Sequence, residues 1–332
     1  MNTRRRAVGW LVAVASIVAV TVGMGVVAQA RSTVGPSAVI FVNPHPDDEF
    51  QHWALLENRT DVYSVIVLLT RGEQTGFCAP EGLEAGWQPE LEPAPRPMPE
   101  GQFSAACAEA RVNAFVGYFG DMARADESIP GRFATVTTST PLQDPAGVVC
   151  RLDETDDCIV ATTVDLYRDL DDRGALLVFD LGDGDLSNAE VEWALRATLD
   201  TFVPELLGDG ARVAGIVGGY STPDNGYAGC FAYPHPDHLA VDRVLWATDF
   251  GAGFQTSATC ATDPRRQLFS RVSDRATEAA FSIKPVDDSD DVLRTGAHTA
   301  NYGWLHGRYY PVARVGQGEL FHQDQHFWVR FW

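Results

Sequence analysis

Ala38 to Val42 is a short, unbroken apolar run rich in branched side chains, bounded by Ser37 and Asn43. Such a run is too short for a free-standing helix and fits a strand buried on both faces. Pro44 to Glu49 is a polar turn, and Phe50 to Leu56 has helical spacing. Asp61 to Thr70 carries a second apolar run, Val-Tyr-Ser-Val-Ile-Val-Leu-Leu. Strand, helix, strand in that order predicts a βαβ unit and a parallel sheet. Further along, strands are expected at Ala175–Leu181 and Arg212–Val217. Helices are expected at Ser104–Met122, Asn188–Phe202 and Asp237–Trp246. Asn188–Phe202 is amphipathic, with Val191, Ala194, Leu195 and Leu199 on one side. The fold class is therefore α/β, with a mostly parallel sheet and helices on its faces.

Between these elements lie two irregular stretches. Arg71–Gly101 is a long loop whose many prolines exclude regular structure over most of it. Residues 132–160 are rich in Thr and Val and suggest a hairpin insertion. The aromatic-rich tail, 301–332, is expected to pack as a terminal β segment. No internal repeat or clear domain boundary is visible. The organisation expected is a leader at 1–30 and one domain at 31–332, with a core at about 37–250 and a C-terminal extension at 251–332.

The leader rests on Arg4-Arg5-Arg6, a run of 24 uncharged residues, and a closing Ala28-Gln29-Ala30. That order matches a cleaved signal peptide, with a retained anchor as the competing reading. Both place the rest of the chain outside the cytoplasm. Six cysteines, all beyond the leader, fit an oxidising compartment and three disulfides. Pairing of sequence neighbours would join Cys78 to Cys107, Cys150 to Cys158 and Cys230 to Cys260. With 45% hydrophobic and 21% charged residues, the composition is that of a globular protein. The net charge of −20 becomes −23 once a leader with three arginines and no acid is removed. Such acidity disfavours nucleic acid and anionic lipid as partners.

Two short segments carry the candidate chemistry. Pro44-His45-Pro46-Asp47-Asp48-Glu49 follows the first strand, and Tyr233-Pro234-His235-Pro236-Asp237-His238 precedes a helix after the 212–217 strand. Both fall at the C-terminal edge of the expected sheet, where open α/β sheets bind ligands. Imidazoles and carboxylates on proline-stiffened backbone point to a metal site. A catalytic zinc takes three protein ligands and leaves a position for water, whose pKa it lowers to about 7. Either segment alone is ordinary turn chemistry. Two of them at one sheet edge favour a site.

His45-Pro46-Asp47-Asp48-Glu49 together with His235-Pro236-Asp237-His238 resembles the PIG-L/LmbE-type zinc-dependent N-acetylglucosamine deacetylase family. Thr70-Arg71-Gly72-Glu73 is similar to that family's Thr-x-Gly-Glu segment. The resemblance covers roughly residues 37–250. It implies a Rossmann-like sheet and hydrolysis of an N-acyl amide on a sugar. By position it implies that His45, Asp48 and His238 bind Zn2+ or another divalent metal, with Asp47 as general base. His235 would stabilise the oxyanion or protonate the leaving amine, Asp237 would orient His235, and Tyr233 would help polarise the carbonyl. Arg71 and Glu73 are the candidates for substrate contact. The leader, the cysteines and the long loop depart from the simple family pattern, and they shift the expected substrate toward an extracellular N-acylated amino sugar or glycoconjugate. The alternative is a carbohydrate- or metal-binding protein without turnover on the same fold. Hydrolysis of an ester or phosphate is a third reading.

Weaker signals read more simply. His322-Gln-Asp-Gln-His326 has metal-binding spacing only if helical, and it sits among β-favouring aromatics. Asp183-Gly184-Asp185 follows a strand and could reach the site, but Gly-Asp turns are common.

Overall fold

The structure, a computed structural model, describes residues 36–75, 101–134, 138–143, 161–230, 232–277, 286–287, 292–293 and 323–332. The leader at 1–30, nearly all of the 79–101 loop, His298, His306, His322 and three of the six cysteines lie outside the described residues.

Strands β1 (Ser37–Asn43), β2 (Tyr63–Leu68), β5 (Gly174–Val178), β6 (Arg212–Gly218) and β7 (Gln255–Thr259) form a parallel core in the order β5-β2-β1-β6-β7. Antiparallel strands extend it on both sides. These are β3 (Thr138–Gln143) and β4 (Ala161–Arg168) beyond β5, and β11 (Asp324–Arg330) and β8 (Arg266–Arg271) beyond β7. A separate two-residue pair, β9 (Val286–Asp287) and β10 (Val292–Leu293), completes the strands. The expected hairpin near 132–160 takes the form of β3, inside that interval, paired antiparallel with β4, just beyond it.

Alternation along β1 shows why its run is apolar throughout. Val39 and Phe41 pack on one face with Phe50, Trp53 and the long helix α2 (Ala105–Ala125). Ala38, Ile40 and Val42 pack on the other, with α3 (Asn188–Ala197) and α5 (Pro236–Ala247). A sheet covered on both faces hides every side chain of its central strands. Residues 48–56 form a 3-10 turn (Asp48–His52) running into the one-turn helix α1 (Trp53–Leu56). A capping box at Ser187 and Glu190 starts α3. After a π-helical turn it continues into α4 (Val203–Leu207).

The C-terminal strand belongs to this same sheet, between β7 and β8. Trp328 Nε1 donates to Asp242 Oδ1 of α5 at 2.7 Å, and Ala54 N donates to Gln325 Oε1 at 2.9 Å. His326 lies on this strand, so the helical spacing to His322 does not apply to it. Cys230 and Cys260 are bonded, as neighbour pairing expects. Cys107 is also disulfide-bonded, and the other expected pairs fall at least partly outside the described residues. Among the described residues, no helix is long and apolar enough to cross a membrane.

Candidate metal centre

Strand order reverses between β1 and β6. The chain moves outward to β2 and β5 on one side, then returns to β6 and β7 on the other. The loops leaving β1 and β6 must diverge there, and the crevice they leave is where open α/β sheets place their ligands. His45 and Asp48 come from the loop after β1, and His238 from the first turn of α5 after β6. Asp183 arrives from the loop after β5.

The three expected ligands meet. Asp48 Oδ2 lies 3.3 Å from His45 Nδ1 and 3.2 Å from His238 Nε2, with all three side chains buried. Their outer atoms are already engaged. His238 Nδ1 lies 2.7 Å from the Tyr220 carbonyl, which can only accept, so Nδ1 donates there and Nε2 faces inward. His45 Nε2 is 2.8 Å from Asp237 Oδ2, which directs its Nδ1 toward Asp48. Gln51 Nε2 donates to Asp48 Oδ1 at 2.8 Å. His238 Nε2 is fully buried and has no hydrogen-bond partner. A buried imidazole nitrogen 3.2 Å from a carboxylate oxygen calls for a positive charge between them, a proton or a metal ion. Ligands held from behind by hydrogen bonds are also what metal-binding histidines show. The donor set, two imidazoles and one carboxylate, therefore fits a divalent ion such as zinc.

The charges agree. Burial disfavours a charged His45, yet Asp183 Oδ1 at 3.0 Å, Asp237 and Asp48 outweigh it and raise its pKa well above 6.5. The crevice is built to hold positive charge. Burial likewise opposes ionisation of Asp48, but His238 and His45 win and hold its pKa below the usual carboxylate range. Asp47, next in the chain, goes the other way. Burial and the Asp48 charge raise its pKa against the pull of Arg111, whose Nη2 donates to Asp47 Oδ2 at 2.8 Å. Asp47 holds a left-handed backbone, φ 112°, and its side chain reaches Arg111 while that of Asp48 meets the two imidazoles.

One expected role is redistributed. Asp237, expected to orient His235, hydrogen-bonds instead to His45 and to the backbone N–H groups of Gly184 and Leu186, both at 2.9 Å. Its position at the start of α5 aims it back across the sheet edge at the β1 loop. His235 stays close, its ring 4.7 Å from that of His45, and its buried Nδ1 has no partner. Burial, then His45 and His238, lowers the His235 pKa. A second trio, His45, His235 and Asp237, also lies within ligating distance. Asp237 there is held by three hydrogen bonds, to His45 and to two backbone N–H groups, against two for Asp48, so it is the poorer metal ligand. The Tyr233 ring stacks edge-on against His238 at 4.8 Å, and burial followed by Asp48 raises its pKa, keeping the hydroxyl protonated.

Arg71 and Glu73 line a cavity of about 340 Å3 beside the cluster, and Asp183 is shared between the two. Arg71 is also tied to Asp165 at 2.7 Å. The sequence missed Tyr220, Gln51 and Arg111 as parts of the site, and it left Asp183 between reaching the site and an ordinary turn; the structure puts it against His45. Asp183 follows a strand at the sheet's C-terminal edge, a signal that was present. Tyr220 contributes through its backbone, the carbonyl to His238 and the N–H to Gln51, which leaves no mark in a sequence.

No family model matches the chain. No curated protein matches it. Among solved structures it is similar to a conserved protein from Thermus thermophilus, at 15% identity over 73% of this chain and 76% of that one, with a TM-score of 0.32. It is also similar to the zinc-inhibited form of teicoplanin deacetylase Orf2, at 10% identity over 89% and 98% of the two chains, with a TM-score of 0.39. Likenesses this distant leave the site to be argued from its own geometry.

Proposed function

We propose that this chain is a metal-dependent hydrolase that removes an N-acyl group, in the first instance N-acetyl, from an amino sugar or glycoconjugate outside the cytoplasm. The observation that carries the reading is the convergence of His45, Asp48 and His238, backed by Asp237, Tyr220 and Gln51, with a second carboxylate, Asp47, at its side. These three residues would hold the ion. When bound, a divalent cation such as zinc supplies Lewis acidity toward the acyl carbonyl and makes water acidic near neutral pH.

The chain's own groups supply the rest. Asp47, with its pKa raised, is suited to take a proton from the attacking water, and Arg111 fixes where its carboxylate points. Tyr233 stays protonated and can donate its O–H to the carbonyl oxygen as charge develops there. His235 is held neutral, so its ring N–H can donate a hydrogen bond to the developing oxyanion, and Asp47, once it has taken the proton from water, can pass that proton to the departing amine, the poor leaving group of the reaction. Two neighbouring carboxylates pushed apart in pKa are the usual mark of divided labour, one binding and one moving protons. The Cys230–Cys260 bond supports an oxidising compartment, and the leader-like residues 1–30 support export.

The test is metal content by elemental analysis together with amine release from N-acetylated glucosamine derivatives, with and without chelator. Amine release that chelator abolishes and added metal restores is the expected result. A stoichiometric metal with no release from any N-acylated amine would turn the reading to a carbohydrate- or metal-binding protein.

A further inference from the structure

The cavity beside the metal cluster is about 340 Å3, near the small end of ligand pockets, which run from about 300 to 1,000 Å3. One wall is Asp183, which also touches His45, so a molecule filling the cavity lies alongside the reacting group. Another wall is Phe103, one of the few large apolar side chains left well exposed (42%) among the described residues. Its backbone φ is 58°, a conformation a bulky aromatic rarely takes. Two neighbours enforce it. Phe103 N donates to the Glu73 carbonyl at 2.9 Å, and the next residue, Ser104, caps α2 through Cys107 N at 3.1 Å. Glycine or asparagine would hold this backbone at less cost. Persistent strain of this kind clusters at binding and active sites.

The charge of the lining is one-sided. Glu73, Glu109, Asp180 and Asp183 outnumber the one arginine of the lining, Arg71, which lies 2.7 Å from Asp165 and 3.9 Å from Asp180, and Asp183 also meets His45. The N-terminus of α2 adds only about half a positive charge. An exposed aromatic face flanked by carboxylates is the pairing that holds an ammonium ion. The same face accepts the apolar side of a sugar ring.

Resting on the N-acyl hydrolase reading, we infer that this cavity is a subsite for a protonated amino-sugar ring joined to the acylated one, with Phe103 as its specificity-determining platform. The substrate is then a partly deacylated amino-sugar chain, not a fully acylated or anionic one.

Amine release by the metal-loaded full chain is compared on two glucosamine disaccharides, one N-acetylated on one ring only and one on both. The singly acetylated sugar should show a KM on the order of tenfold lower, the size expected of an aromatic and cation contact. Phe103→Ala should erase most of that difference through KM, Phe103→Trp should restore it, and Glu109→Gln should weaken it. Phe103→Gly should lose the preference while melting no lower than the parent, because it relieves the backbone. Equal KM values for the two sugars, or a preference untouched by Phe103→Ala, would overturn the inference. Calorimetric binding of glucosamine itself separates the two readings. Phe103-dependent binding without turnover removes the hydrolase and keeps the subsite, whereas turnover without preference removes the subsite alone.

Discussion

Asp47 and Asp48 are adjacent in the chain and have opposite chemistry. Asp48 sits between two imidazoles and stays ionised, and Asp47, on a left-handed backbone, reaches Arg111 instead. Each substitution should therefore fail differently. Asp47→Ala should keep bound metal and lose on the order of 10²–10⁴ in kcat, the usual worth of a general base. His45→Ala should lose the metal itself. Equal metal loss in both variants would refute this division. The ligand residues were legible because short runs such as His-Pro-Asp-Asp and His-Pro-Asp-His place several ligating groups on a stiff loop. Arg111 and Gln51 were not, because nothing in their local sequence marks the partner each one acts on, and Asp183 carried only its place after a strand.

At the scale of elements, the loop after β2 buttresses the loop after β1. Gly72 has φ 70°, and a Cβ there would meet Pro46 Cδ at 2.8 Å and Arg111 Nε at 2.9 Å. Gly72→Ala would strain its own backbone and push on both the metal-binding loop and the arginine that holds Asp47. We expect a cost of about 1–3 kcal/mol. Thermal melting a few degrees below the parent would show it, and metal affinity should fall with it. An unchanged melt and unchanged affinity would mean that the two loops move independently. The strands nearest this contact, β1, β2, β5 and β6, are apolar runs and were foreseen. Strand β7 was not, since Gln-Thr-Ser-Ala-Thr looks like a surface loop. It is buried because its polar side chains find partners. Gln255 donates to the carbonyls of Leu245 and Thr248, and Ser257 to that of Gly219. Strand β8 escaped notice for the opposite reason, as an exposed edge strand with no buried face to set its pattern.

For the whole molecule, the buried His52 couples stability to pH. Its Nε2 lies 2.8 Å from Asn43 Oδ1 at the end of β1, and burial lowers its pKa from 6.5 to about 4. Between those values the unfolded chain binds a proton that the folded chain refuses. Stability from the neutral form is therefore complete above about pH 6.5 and declines as pH falls toward 4, by roughly 3 kcal/mol at most. Denaturant unfolding at pH 7.5 and pH 5 should show a larger loss in the parent than in His52→Gln, since other titrating groups contribute to both alike. The same pH loss in both proteins would rule His52 out as the source.

By itself, the sequence determined the α/β class, the central strands and the loops that bring imidazoles and carboxylates to one sheet edge. Those follow from local apolar periodicity and from residue types a few positions apart. Only the tertiary structure decided which nitrogen faces which oxygen. It turned Asp237 toward His45, set Tyr220 behind His238 and Arg111 behind Asp47, and opened the cavity that Phe103 overlooks. Hydrogen bonds are directional and reach about 3 Å, so their partners are fixed by where the sheet's strand order reverses, a property of the folded chain and of no single segment.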